Sequence, residues 1–227
     1  MTAQAGGAIP SPSRPADRMA QPTAEVRAAR RRLCDLRRAL DPRVRVAAER
    51  AIRTSLDRLG VFRRGAHVAL YLPMPGEVDL RPCVAPARQR GVRIYVPRIA
   101  SRRGRRMLFA PWTGHAARRT NAFGIVEPGS AAGSRPAVGL DCVVVPLVGF
   151  DLCGNRLGMG AGYYDRALRR RRQVDRPWRR PRLVGVAFAC QELPAIPVSP
   201  WDVRLDFVVT ERGIVVPARS RAARNTA

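Results

Sequence analysis

The stretch LDCVVVPLVGFDLCGNRLGMGAGYYDRAL, residues 140–168, decides the fold. It opens with the most strongly apolar run of the chain, 140–150, continues through four glycines between positions 154 and 162, and ends in a helical pattern. A strand, then glycines, then a helix is the order in which open α/β sheets place a ligand loop. Glycines there let backbone amides approach a bound group, most often phosphate, although a lone glycine cluster is also typical of a tight turn.

Apolar runs on both sides of this stretch alternate with helical patterns. Strands are predicted at 67–73, 93–98, 106–111, 140–150, 183–188 and 206–211, and helices at 80–91 and about 161–172. Strands that alternate with helices imply a mostly parallel sheet covered on both faces. The sequence therefore predicts an α/β fold, a three-layer α/β/α arrangement with a mostly parallel, Rossmann-like central sheet. Ligands of such sheets bind beyond the carboxyl ends of the strands.

Two helices are predicted before the first strand. The first has arginines on one face and apolar residues at helical spacing on the other, namely Val26, Leu33, Leu36 and Leu40. The second begins at Asp41 and Pro42 and ends near Leu59, because Gly60 follows.

Composition predicts one cytoplasmic domain with disordered ends. Residues 1–23 and 218–227 are small and polar without periodicity, so we expect tails around a single domain at 24–217. No apolar run approaches the length of a membrane span, and no signal peptide is recognisable. The five cysteines lack the paired spacing of a metal site and are predicted to be buried thiols in a reducing compartment: Cys34, Cys83, Cys142, Cys153 and Cys190.

All 42 basic residues are arginines, against 17 acidic residues, which gives a net charge of +25. The absence of lysine excludes a Walker-type phosphate loop and Schiff-base chemistry. The charge would favour polyanions, but aromatic residues are only 6% of the chain, so we expect nucleic-acid binding to be weak and non-specific. Segment 169–182, with eight arginines and one aspartate, is predicted to be a solvated loop, and a phosphate-backbone site is the alternative.

Three charged side chains are candidates for chemistry near the glycines. Arg156 lies two residues before Gly158, within reach of anything the loop holds. Asp165 falls near the start of a predicted helix, where it would either cap the helix or hold a metal ion. Glu77 follows the first predicted strand and would either cap a helix or accept hydrogen bonds from the ring amide and amine of a heterocycle. The histidines, His67 and His115, lack a serine or cysteine motif, which argues against a hydrolase triad.

The glycine loop with its leading strand, VVVPLVGFDLCGNRLGMGAGYYDRAL, closely resembles the signature of the 5-formyltetrahydrofolate cyclo-ligase family. The resemblance extends over about residues 25–213. It includes, in order, ALYLPMPGEVD, YVPRI, MLFAPW, FGIVEP and LPAIPVSPWDVRLDFVVTERG.

This resemblance implies an ATP-dependent enzyme of one-carbon metabolism that converts 5-formyltetrahydrofolate to 5,10-methenyltetrahydrofolate, with Mg²⁺ as cofactor and ATP as co-substrate. In the family, the formyl oxygen attacks the terminal phosphate of ATP, the neighbouring amine closes onto the formyl carbon, and phosphate leaves. The protein's part is positioning and charge neutralisation. We further expect a monomer that has no membrane partner.

The resemblance also implies roles for individual residues. The expected ATP site is Arg27, Arg30, Arg156, Leu157, Gly158, Met159, Gly160, Ala161, Gly162, Tyr163 and Tyr164. The expected folate site is Leu72, Glu77, Gly160, Gly162, Tyr163 and Tyr164. Arg156, Tyr163 and Tyr164 are the expected catalytic residues, and Asp165 and Asp202 the expected Mg²⁺ ligands. One departure stands out: the family usually has a lysine one turn before Arg30, where this chain has Val26, and Arg27 or Arg31 would have to substitute.

Overall fold

In the computed structural model of this protein, the described residues are 23–101, 106–114, 118–120, 126–173 and 180–217. Both predicted tails up to residue 22 and from residue 218, as well as His115, lie outside these ranges.

Strands form one seven-stranded sheet and two small hairpins. The strands are β1 (His67–Ala69), β2 (Arg93–Ser101), β3 (Arg106–Pro111), β4 (Arg118–Thr120), β5 (Val126–Pro128), β6 (Cys142–Pro146), β7 (Gly149–Phe150), β8 (Arg156–Leu157), β9 (Arg182–Val186), β10 (Phe207–Thr210) and β11 (Gly213–Val215). The order in the large sheet is β11-β10-β9-β6-β1-β2-β3. Its inner pairs are parallel, and only the two outermost strands run antiparallel to their neighbours.

The described ranges contain four α-helices: α1 (Ala24–Arg38), α2 (Pro42–Arg58), α3 (Val84–Gln89) and α4 (Tyr163–Leu168). Thr23, predicted to belong to the tail, caps α1 by accepting a hydrogen bond from the Val26 amide at 3.3 Å. Asp41 caps α2 and accepts from the Arg43 and Val44 amides. No described helix is long and apolar enough to cross a membrane.

Adjacent residues of the central strands pack into different apolar clusters on the two faces of the large sheet. Val68 and Val144 belong to a cluster that includes Ile52 and Leu56 of α2, together with α3. Ala69 and Val143 belong to a second cluster that includes residues of α4. This alternation, with helices on both faces, confirms the predicted three-layer α/β/α fold.

The site is positioned by a reversal of strand order. From β1 the chain continues to β2 on one side, whereas β6, β9 and β10 lie on the other. The segments that leave β1 and β6 therefore start side by side, at the point where open α/β sheets bind ligands.

Some predictions were wrong in detail. The run 140–150 is not one strand: β6 ends at Pro146, and the chain enters the β7–β8 hairpin before it reaches the glycines. Cys153 is exposed and Cys190 half-buried, so only the other three cysteines are buried as predicted. Within segment 169–182, Arg171 is not solvated: it is buried and forms an ion pair with Asp206.

Candidate functional site at the strand-order reversal

Asp151 fixes the start of the glycine loop. This buried carboxylate accepts hydrogen bonds from the Cys153 amide (3.0 Å), from the Asn155 amide and side chain (2.9 Å each), and from the Ile196 amide (3.1 Å). Gly154 is required at the tip, because its φ is 78° and a Cβ would lie 2.9 Å from a backbone oxygen. The hairpin is thereby tied to the proline-rich segment that carries Asp202.

Arg30 of α1 lies across the glycine loop. Its Nε donates to the Gly158 carbonyl at 2.8 Å, and a Cβ on Gly160 would lie 3.5 Å from the guanidinium. Gly160 and Gly162 have φ of 94° and 69°, a conformation that side-chain-bearing residues rarely adopt. The loop therefore has a backbone conformation that favours glycine, and the Arg30 guanidinium borders one side of it. Burial lowers the pKa of Arg30.

Arg156 connects the other side of the loop to the segment after Asp202. Its guanidinium donates to the Asp165 carboxylate and to the Val203 carbonyl. The Val203 amide in turn donates to Asp165 Oδ1 at 3.3 Å. The side chain of Asp202 accepts from the Ser199 amide at 2.8 Å. Two carboxylates from distant parts of the sequence are thus held on adjoining backbone segments.

Glu77 is buried in the turn after β1. Its side chain is 9% exposed, Oε2 accepts from the Met74 amide at 3.1 Å, and Oε1 lies 3.5 Å from Arg37 Nη2. Burial raises the pKa of Glu77, while the Met74 amide and the Arg37 charge lower it. The turn is close to α1, because a Cβ on Gly76 would lie 2.9 Å from the Arg38 side chain.

Tyr164, in the first turn of α4, is affected electrostatically by both Glu77 and Arg156. Burial raises the pKa of its phenol, the charge of Glu77 raises it further, and Arg156 opposes this. Burial and the charge of Glu77 also raise the pKa of the Tyr71 phenol. A single site therefore contains a glycine loop, two arginines, a buried carboxylate and a phenol that stays protonated.

A model of the 5-formyltetrahydrofolate cyclo-ligase family matches residues 22–211. The chain belongs to this family. Membership makes it a ligase of folate metabolism, as the resemblance predicted.

Curated relatives and solved structures agree with this assignment. The 5-formyltetrahydrofolate cyclo-ligase of Haemophilus influenzae is 31% identical over 161 residues, which cover 70% of this chain and 82% of that protein. The Escherichia coli K12 protein of the same name is 34% identical over 144 residues, 63% of this chain and 76% of that one. The 5,10-methenyltetrahydrofolate synthetase structure from Aquifex aeolicus has a TM-score of 0.69 at 28% identity, covering 88% of this chain and 99% of that one.

Most of the site residues expected for a cyclo-ligase lie around the loop. Leu157 is buried, Tyr163 is half-buried, and Met159 and Ala161 are exposed. Leu72 is half-buried against the cluster that contains Val68. Arg27 is exposed near the start of α1, and Val26, which occupies the family's lysine position, packs against Leu33 and its neighbours.

Arg37 was not predicted as a site residue, and the helical spacing had placed Leu36 on the apolar face instead. Leu36 is 41% exposed, whereas Arg37 is 3% exposed and lies on the same face of α1 as Leu33 and Arg30. The available signal was spacing, since an arginine four residues after a buried leucine falls on the buried face of a helix.

A further groove lies away from this site. It has a volume of about 910 Å³, runs along α2 to the β10–β11 turn, and is bordered by Arg43, Arg50, Arg58 and Arg212. It shares no residue with the cyclo-ligase site.

Proposed function

We propose that this protein converts 5-formyltetrahydrofolate to 5,10-methenyltetrahydrofolate, with cleavage of ATP to ADP and phosphate. The observation that supports this proposal is a glycine loop bordered by Arg30 and Arg156. Tyr164, at the end of that loop, is affected electrostatically by both Arg156 and the buried Glu77. One half of the site suits phosphates and the other half suits a polar heterocycle.

In the proposed reaction, the formyl oxygen attacks the γ-phosphate and ADP leaves. The adjacent amine then attacks the formyl carbon, the ring closes, and phosphate leaves. These steps need no protein nucleophile, which agrees with a chain without lysine.

The two arginines would neutralise phosphate charge from opposite sides of the loop. Arg30 is held by the Gly158 carbonyl and Arg156 by the Val203 carbonyl, so each guanidinium is oriented before a ligand arrives. Preorganised donors of this kind stabilise developing charge without reorganisation. The Gly160–Gly162 backbone leaves room for phosphate between them.

Glu77 would bind the pterin. Its two oxygens match the ring amide and amine, and burial strengthens such charge-assisted hydrogen bonds. Tyr164, whose phenol pKa responds to both Glu77 and Arg156, is proposed to border both substrates. Tyr163 and Leu72 are proposed as further walls of the folate site.

Asp165 and Asp202 are the proposed Mg²⁺ ligands. No group of three or more acidic, cysteine or histidine side chains among the described residues could hold a metal. Mg²⁺ commonly uses one or two carboxylates with phosphate oxygens and water, so an aspartate pair beside a phosphate loop fits it. When bound, the ion would offset the repulsion between these carboxylates and ATP.

Turnover tests the proposed function directly. Purified protein is mixed with ATP, Mg²⁺ and 5-formyltetrahydrofolate, and the near-ultraviolet absorbance of the methenyl product is followed together with ADP. We expect one ADP per product formed, and no product without ATP. Product formation that does not need ATP, or ATP cleavage without product, contradicts the proposal.

The metal assignment has its own prediction. Asp165→Asn and Asp202→Asn should each raise the Mg²⁺ concentration needed for half-maximal rate by roughly tenfold, because each removes a ligand charge. Folate affinity without nucleotide should change less than about twofold. Asp206→Asn is the matched control, since it breaks the ion pair with Arg171 away from the loop. If the site variants melt earlier but keep the wild-type Mg²⁺ dependence, both aspartates are structural.

A further inference from the structure

Arg37 is an arginine buried in the interior of the protein. It lies near the end of α1 with its side chain 3% exposed. Nη1 donates to the Leu147 carbonyl at 3.2 Å, and Nη2 lies 3.5 Å from Glu77 Oε1. In the described part of the chain, Nε has no hydrogen-bond partner.

Neighbouring groups hold Arg37 in place from two directions. Gln191, itself buried, donates to the Leu147 carbonyl at 3.1 Å and to the Val148 carbonyl at 2.9 Å. Arg45 of α2 donates to the Arg37 carbonyl and, at 3.4 Å, to the Gly76 carbonyl next to Glu77. The guanidinium and the Glu77 turn are therefore fixed relative to each other.

Burying Arg37 in this way is unfavourable for the stability of the fold. A buried arginine with an unpartnered Nε carries a desolvation penalty, and an apolar side chain of similar length would fill the same space without it. Features that break packing rules in this way are commonly found at functional sites. The partner of Arg37 is the carboxylate that is proposed to bind the pterin.

We propose that Arg37 is the positioning residue of the folate site: it orients the Glu77 carboxylate and keeps it ionised, so that both oxygens accept hydrogen bonds from the pterin. This inference rests on the proposed function. Arg37 acts through Glu77 and touches neither phosphate nor the reacting atoms.

The charges around Glu77 support this role. Tyr71 and Tyr164 face it, Glu49 lies near Tyr71, and Arg37 is the cation that acts on it. Burial raises the pKa of Glu77 above the ordinary 4.5, and the Met74 amide and then the Arg37 charge oppose that rise. Without Arg37 the carboxylate would hold its proton to higher pH, and a protonated carboxyl loses an acceptor that the ring amide and amine need.

The test compares Arg37→Gln with Arg37→Lys and with Arg38→Gln. Gln removes the charge, Lys keeps the charge but not the planar fork, and Arg38 is the neighbouring arginine, 58% exposed. KM for each substrate and the pH dependence of kcat/KM for folate are measured by ADP release, with thermal melting as a folding control. The acidic limb of kcat/KM reports the ionisation of the free enzyme.

We expect Arg37→Gln to raise KM for 5-formyltetrahydrofolate by roughly tenfold or more and KM for ATP by less than about twofold. Its acidic limb should move to higher pH, because Glu77 then loses its proton later. Arg37→Lys should keep the wild-type limb with a raised folate KM, and Arg38→Gln should match the wild type.

An Arg37→Gln enzyme with the wild-type limb and equal changes in both KM values would overturn the inference. If that variant does not fold, a wild-type folate KM in Arg37→Lys overturns it instead. Failure of the proposed function is distinct, since the wild-type protein would then not form the methenyl product.

Discussion

Gly160 combines an unusual backbone conformation with a place beside a proposed ligand. Its φ is 94°, and a Cβ would lie 3.5 Å from the Arg30 guanidinium, on the edge of the space we assign to phosphate. Gly65 provides a comparison, because its φ is 76° and nothing lies within 4 Å of an added Cβ. Both positions have a backbone conformation that is strained for other residues, but only Gly160 lies at the proposed ATP site.

Gly160→Val and Gly65→Val should each destabilise the fold by about 1–2 kcal/mol, the usual penalty for a side chain in the left-handed region. Only Gly160→Val should lose turnover, by roughly a hundredfold, because its side chain displaces phosphate or Arg30. Urea unfolding gives the first quantity and steady-state ADP release the second. Equal activity of the two variants would remove Gly160 from the ATP site.

At the level of single residues, the sequence could indicate which residues are candidates for the site, but not which contacts their side chains make. The types and spacing of the glycines, Arg156, Asp165 and Glu77 were enough to predict them as candidates. The pairing of Arg156 with Asp165, and of Arg37 with Glu77, could not be found, because it depends on contacts between segments far apart in the chain. Leu36 was predicted on the apolar face and Arg37 on the opposite one, because hydrophobicity alone cannot show that a buried position holds a charge.

Among the elements, β9 packs unusually close to the segments that build the site. A Cβ on Gly185 would lie 2.5 Å from Leu205 Cδ1 and 2.9 Å from Leu147 Cδ2. Leu147 carries the carbonyl that binds Arg37, and the Leu205 amide donates to the Gly154 carbonyl at 2.9 Å. A glycine in the middle of a strand is therefore required by packing.

Gly185→Ala should destabilise the protein by about 1–3 kcal/mol, as overpacking of a core does, and raise the folate KM by shifting Leu147. Adding Leu205→Val should recover part of the stability, because it shortens the side chain that the new methyl meets. Gly139→Ala is the control, since its nearest contact, at 3.4 Å, is the flexible side chain of Arg135. Chemical denaturation measures all three, and an unchanged midpoint for Gly185→Ala would contradict the packing argument.

Elements with a strong local pattern were predictable, and short ones were not. The run at 106–111 matches β3, and the second helix begins at its predicted cap. The β7–β8 hairpin was not predicted, because two-residue strands show no periodicity. The hairpin also depends on Asp151, which accepts a hydrogen bond from Ile196, a residue distant in the sequence.

For the whole molecule, the fold class could be predicted and the order of strands could not. Alternation of strands and helices specifies layers, whereas pairing of β1 with both β2 and β6 is a property of non-local contacts. The Glu77 turn and the glycine loop are about 80 residues apart in the sequence, and the pairing of β1 with β6 brings them together. Only the resemblance to the cyclo-ligase family linked these two segments in one predicted site.

The net charge of +25 is the remaining property of the whole molecule, and it suggests a rival function as an RNA-associated protein. The arginines that border the 910 Å³ groove lie outside the cyclo-ligase site. Charge of this kind attracts polyanions without reading sequence, and the attraction falls steeply with salt. The rival function predicts instead a preferred RNA whose binding survives moderate salt.

We expect only weak binding of single-stranded RNA, with a dissociation constant of about 10⁻⁶–10⁻⁴ M at physiological salt and little dependence on sequence. Replacing Arg43, Arg50 and Arg58 together with glutamine should weaken it further while leaving kcat/KM for both substrates unchanged, because none of the three belongs to the proposed site. Fluorescence anisotropy with labelled homopolymers and mixed sequences, at two salt concentrations, measures the binding, and ADP release measures the activity. One RNA that binds far more tightly than the others, or that changes turnover, would favour the rival function, because sequence-blind attraction to phosphate can do neither.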